Sequence, residues 1–166
     1  MAAGSARQAG GSALPSWLHF DAATRTFSGT PGNAAVGALS LKLTATDSAG
    51  AQASQTFGMT VANVNDAPEV GVLLANQSAR VGDALNWQMP AGAFTDVDQG
   101  DVLTYSATLA DGSALPDWLA FDAVTGTFQA TPPAAGNYAV QVTATDQAGA
   151  QISQTFALNV TTSNSN

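Results

Sequence analysis

An all-β fold, built as a two-sheet sandwich, is predicted by three observations. Short runs alternate apolar with polar residues, turn signals separate the runs, and no window carries a helical stripe. The chain also says nearly the same thing twice. "GSALPSWLHFDAATRTFSGTP" (Gly11–Pro31) returns as "GSALPDWLAFDAVTGTFQATP" (Gly112–Pro132), and "LSLKLTATDSAGAQASQTFGMTV" (Leu39–Val61) returns as "YAVQVTATDQAGAQISQTFALNV" (Tyr138–Val160).

Each element has its own warrant. In the repeated opening, Leu115, Trp118, Leu119, Phe121 and Phe128 are spaced to fill a sandwich core, with Pro116 fixing the turn before the tryptophan. A sugar-stacking role for Trp17 or Trp118 is the less favoured reading. "FDAVTGTF" reads as strand, tight turn, strand, in which Gly126 is free to take positive φ; the first copy puts Arg25 there, which predicts a turn that is either slightly strained or of another type. Next, Leu39, Leu41, Leu43 and Ala45 alternate with Ser40, Lys42 and Thr44, and Phe57, Met59 and Val61 repeat the period. Further along come Leu85, Trp87 and Met89; then Leu103, Tyr105, Ala107 and Leu109; then Tyr138, Val140, Val142 and Ala144; and finally Phe156, Leu158 and Val160. Asp111-Gly112, Thr125-Gly126, Pro132-Pro133 and Ala148-Gly149 mark the turns between them.

The stretch from Asp66 to Asp111 has no counterpart before Gly11. The domain reading follows: a leader or linker at 1–10, the C-terminal half of a unit at 11–62, a linker at 63–66, a complete sandwich at 67–161 and a tail at 162–166. "MAAGS" reads as an added leader and "TTSNSN" as a frayed tail, so the chain is expected to be an excised piece of something longer. The half-unit should leave its inner face uncovered. It is expected either to stay disordered or to be completed by a second molecule, giving a strand-exchanged dimer.

Composition excludes several function classes. Acids outnumber bases twelve to four, for a net charge of -8, so the lysine and arginine clusters that nucleic acid requires are missing. There is no cysteine, hence no disulfide and no zinc-thiolate site. No run approaches the roughly 20 apolar residues of a membrane-spanning helix. His19, the single histidine, answers to Ala120 in the second copy, and no G-x-S-x-G, H-E-x-x-H or P-loop is present, so no enzyme is expected.

Taken together, "LPxWLxFDxxTxTFxxTP", "TATDxAGA", "NVNDAP" and "FTDVDQGDVLTYSATL" resemble the dystroglycan-type cadherin-like repeat, an immunoglobulin-like module of bacterial surface proteins and adhesins. The resemblance implies an extracellular or bacterial cell-surface location, neighbouring repeats of the same chain as partners, and calcium as ligand. It also implies the ligand set: Asn65 and Asp66 from the linker, Asp96 and Asp98 from "DVDQGD", Asp146 from "TATDQAG", and Asp101 as an extra ligand. Asn63 stands where that family commonly has aspartate, which points to one ion rather than three. Calcium favours six to eight oxygen ligands, so a carboxylate-rich set suits it; the competing reading makes these acids ordinary loop residues or Asx-turn formers. Asp47, the counterpart of Asp146, should be an orphan. The implied function is an adhesive spacer whose joint calcium stiffens; the rival is a module that binds polysaccharide or a partner adhesin domain.

Overall fold

The computed structural model describes residues 3–163, which divide into a first unit ending at Val64 and a second beginning at Asn65. Of the expected tail, Thr162 and Ser163 follow the last strand, and 164–166 lie outside the described residues, as do residues 1 and 2.

The first unit contains β1 (Ala3–Gln8), β2 (Leu18–Asp21), β3 (Thr26–Gly29), β4 (Gly37–Thr46) and β5 (Gln52–Val61). β1, β4 and β5 form one antiparallel sheet, and β2 pairs with β3. A 3-10 turn, Asn33–Ala35, occupies the two-residue insertion that separates the copies. The strand β1 corrects the reading of residues 1–10 as a leader. Ala3 to Gln8 pair in register with Thr46 to Leu41, and Ser5, Ala6 and Ala9 repeat Ser106, Ala107 and Ala110. The strand hid because "AGSARQ" offers no bulky apolar residue to mark an inner face.

The second unit contains β6 (Glu69–Val70), β7 (Gln77–Arg80), β8 (Leu85–Gln88), β9 (Phe94–Thr95), β10 (Thr104–Leu109), β11 (Leu119–Asp122), β12 (Thr127–Ala130), β13 (Gly136–Thr145) and β14 (Gln151–Thr161). One sheet runs β10-β13-β14-β7, and the facing one β11-β12-β8, with β6-β9 as a separate pair. All pairings are antiparallel except β7 with β14. Alternation along β13 buries Val140, Val142 and Ala144, and along β14 buries Phe156, Leu158 and Val160. From the other sheet Leu119, Phe128 and Ala130 close the core.

Trp118 departs from expectation. It precedes β11 rather than lying in it, so it sits half-buried and edge-on to Tyr138, 4.9 Å between ring centroids. Trp87, in β8 and likewise half-buried, stacks on Phe128 at 5.6 Å and tilts on Phe156 at 4.9 Å.

The β11–β12 turn behaves as its sequence predicts. Gly126 adopts φ 69°, and Arg25 in the first copy is held at φ 56°, the single non-glycine residue with positive φ among those described. A left-handed conformation costs an L-residue roughly 1–2 kcal/mol, and glycine gives part of that back through its freer unfolded chain. Arg25→Gly is therefore expected to stabilise the first unit by about 0.5–1 kcal/mol. Denaturant melts of the two proteins check this, and a destabilised variant would show the turn is not strained.

Candidate metal centre

Three segments converge at one end of the second unit: Asn65-Asp66 where the unit begins, the connection between β9 and β10, and the β13–β14 turn. That turn is built by Asp146. Its backbone N–H donates to the Ala150 carbonyl at 2.9 Å, Gly149 N–H donates back to the Asp146 carbonyl at 3.2 Å, and Ala150 N–H donates to Asp146 Oδ1 at 2.7 Å. Asp47 builds the same turn in the first unit, accepting Ala49 and Ala51 N–H, each at 2.9 Å. The surroundings differ. Asp146 is 5% exposed, whereas Asp47 is open to solvent.

The second oxygen of Asp146, Oδ2, accepts a hydrogen bond from the Asn65 side-chain amide at 2.9 Å. Asn65 also donates to the Asp66 carbonyl at 3.0 Å, and Asp66 N–H donates to Asp98 Oδ2 at 2.8 Å. Two acids of the sandwich thus hold the first residues of their own unit. Asp98 N–H donates to Asp96 Oδ1 at 2.9 Å, and Asp101 N–H to the Asp98 carbonyl at 3.3 Å.

These bonds set the relation of Asp96, Asp98 and Asp101. The segment folds into consecutive turns, which bring Asp101 back toward Asp96. The carboxylates that gather are Asp96, Asp101 and Asp146, with one oxygen from each lying within 4.8 Å of the others. Asp98 flanks this trio and is 6% exposed. Asp101, expected as an extra ligand, lies within this trio; Asn65 and Asp66 are exposed and tied in through the bonds above.

The decisive feature is what these acids lack. Asp96 Oδ2, Asp98 Oδ1 and Asp101 Oδ2 are buried with no hydrogen-bond partner among the described residues. A buried oxygen left unpaired typically costs about 1–3 kcal/mol, and more when charged. Like charges roughly 5 Å apart add about 3 kcal/mol of repulsion at an effective dielectric near 20. The Asn65 amide reaches Asp146, but positive charge is scarce: Arg80 is the only lysine or arginine from Asn65 onward. It pairs with Thr161 at the far end of β14, away from the Asp146 turn. The potential ligand atoms here are all carboxylate oxygens. These residues fit a hard divalent ion such as calcium.

Asp21, Asp111 and Asp122, outside the candidate set, accept local backbone N–H in exposed turns, and Asp96 and Asp146 also accept such bonds. Sequence reasoning missed Gln154. It is buried, accepts Leu74 N–H at 2.9 Å, and donates to the carbonyls of Val72 at 3.1 Å and Ala93 at 2.7 Å.

The amide of Asn65 and, behind it, the Ala150, Ala148 and Gly149 N–H groups hold the Asp146 carboxyl below its usual value of 3.8. A pKa depressed on folding adds stability above the unfolded value and loses it as pH falls through the folded one. Without added metal, Asn65→Ala is therefore expected to melt below the parent at pH 7, and the gap should close as pH drops below about 4. A gap that stays constant with pH would exclude this role for Asn65.

The architecture defines an Ig-like β-sandwich repeat protein. Residues 2–62 and 67–161 both match the family described as "Putative Ig domain", and the chain belongs to that family. It is 30% identical over 148 residues to the "Serine-rich adhesin for platelets" of Staphylococcus aureus strain USA300; the match spans 89% of this chain but 6% of that protein. The same adhesin from strain MRSA252 matches at 30%, over 10% of its length. Among solved structures, human mucin-like protocadherin EC1-2 superposes with a TM-score of 0.68 at 18% identity, covering 97% of this chain and 85% of that one. The human desmocollin-1 ectodomain gives 0.62 at 15%, covering 96% and 33%, and Drosophila N-cadherin EC1-4 gives 0.60 at 20%, covering 98% and 41%. At these identities the cadherins establish the fold.

Proposed function

We propose that the chain is a non-enzymatic, surface-exposed adhesive spacer, of the dystroglycan-type cadherin-like kind, in which calcium locks the start of the second unit to its sandwich. The observation that carries this reading is the trio of unpaired buried carboxylate oxygens on Asp96, Asp98 and Asp101. They sit beside a linker already tied to the same acids through Asn65 and Asp66. Asp96, Asp101 and Asp146 would hold the ion, with Asp98 and Asp66 beside them. A bound cation supplies the positive charge that this acidic pocket lacks. The entry segment then loses its freedom to swing, and a row of such repeats extends rather than coils. Neighbouring repeats of the parent protein are the natural partners.

The rival is a polysaccharide- or partner-binding module, and its polysaccharide form finds less support in the second unit. A glycan platform needs exposed aromatic faces, and the large exposed apolar residues described in the second unit are all valine or leucine. Thermal melting during a calcium titration, with magnesium as control, tests the proposal. Calcium is expected to raise the melting temperature where equal magnesium does not, because magnesium gives up its water shell reluctantly. Identical melts with and without millimolar calcium would overturn it.

A further inference from the structure

Gln154 occupies an inward place on β14, between Ile152 and Phe156 in the alternation. The period calls for an apolar side chain there, and the next residues of the row, Phe156, Leu158 and Val160, are buried apolar ones. Gln154 is itself buried, and its amide is spent on backbone alone: it accepts Leu74 N–H and donates to the Val72 and Ala93 carbonyls.

Those partners belong to one ladder. Val72 N–H donates to the Gly92 carbonyl at 2.8 Å and Gly71 N–H to the Ala93 carbonyl at 3.0 Å, after which Val70 pairs with Phe94 and Glu69 with Thr95. The two backbones lie so close that a Cβ on Gly71 would run into the Gly92 carbonyl oxygen. At its other end this ladder leads straight into the acids. β6 begins just after Asn65 and Asp66, and β9 ends beside Asp96. β14, which carries Gln154, leaves the turn that Asp146 builds. One side chain therefore joins all three segments that bring the carboxylates together.

We infer that Gln154 positions the acidic centre through a buried amide clasp that fixes the β6–β9 ladder on β14. It touches none of the acids. It sets how far Asp66, Asp96 and Asp98 stand from Asp146, and it does so before any ion arrives. Cutting the clasp leaves buried backbone groups unpaired and lets the ladder shift from β14. The carboxylates then spread under their own repulsion, and a cation has to regather them. The inference rests on the calcium reading above for its ligand, while the clasp itself belongs to the metal-free chain.

Gln154→Met keeps the length of the side chain and removes all three bonds. Leu158→Ala, buried on the same strand but away from the Asp146 turn, controls for lost core stability. Both are compared with the full parent chain at a temperature where all are folded. In the metal-free proteins, magnetic resonance follows exchange of the Asp66 amide and the shift of the Asn65 side-chain amide, whose acceptors are Asp98 and Asp146. Calorimetry then measures calcium affinity. Gln154→Met is expected to speed Asp66 exchange at least tenfold, to move the Asn65 signal, and to weaken calcium roughly tenfold. Leu158→Ala should leave all three near the parent. If Gln154→Met does not fold, Gln154→Glu gives the same comparison, since it keeps the bond from Leu74 and loses both donated ones. Unchanged Asp66 and Asn65 signals in a folded Gln154 variant would overturn the inference, whatever calcium does. So would parental calcium affinity in that variant, or equal effects from Leu158→Ala. A parent that binds no calcium would overturn the reading of the centre instead, and the metal-free signals would still decide on the clasp.

Discussion

Phe128→Ala is expected to take a large share of the second unit's stability. Phe128 is 1% exposed and touches Trp87, Phe121 and Phe156 at ring separations of 5.6, 4.6 and 5.3 Å. Truncating such a phenylalanine removes its transfer energy and leaves a cavity, costing roughly 3–5 kcal/mol. A domain of this size typically has about 5–15 kcal/mol in total. The matched change Phe27→Ala should cost clearly less, because Phe27 is only half-buried and lacks the covering tryptophan. Denaturant melts followed by residue-resolved amide exchange separate the two units. Equal losses at the two positions would mean that the first unit is covered as well as the second.

The calcium response is expected to be of similar size. An ion bound by the folded state alone stabilises it by RT ln(1 + [L]/Kd), about 2.7 kcal/mol at a hundredfold excess over Kd. For a unit of this length that corresponds to a rise of roughly 10–20 °C in Tm. Asp96→Ala combined with Asp98→Ala should abolish most of the rise. In the absence of calcium the same variant should melt close to the parent, since it loses the bonds from Asp66 and Asp98 N–H but also removes two carboxylates with unpaired oxygens. Asp47→Ala serves as the control: it breaks the same turn without touching the acidic trio, so the calcium shift should survive. Loss of the shift in Asp47→Ala would detach the effect from the proposed centre.

The sandwich was legible because bulky residues alternated: Val140 and Val142 on β13, Phe156 and Leu158 on β14. Where the inner face is made of small residues, as in Ala3–Gln8, the period leaves no trace, and pairing with β4 alone defines the strand. The acids were legible as a set but not in their roles. Spacing places Asp96 and Asp98 side by side on paper, while the turn that swings Asp101 inward depends on backbone bonds no pattern encodes. Gln154 was invisible for a related reason. Gln55 carries the same side chain in the same local sequence, "SQTF", and the two diverge only in what packs against them.

The parallel pairing of β7 with β14 bears on how the second unit meets mechanical load. A tether drawn from both ends of the unit pulls the start of β7 one way and the end of β14 the other. Because the strands run in the same direction, the bonds between 77–80 and 158–161 are loaded together in shear rather than opened one at a time. Rupture then requires several bonds to fail at once, and under tension it is the unfolding rate that sets a domain's lifetime. A short four-residue pairing thus becomes the unit's clamp against being drawn out.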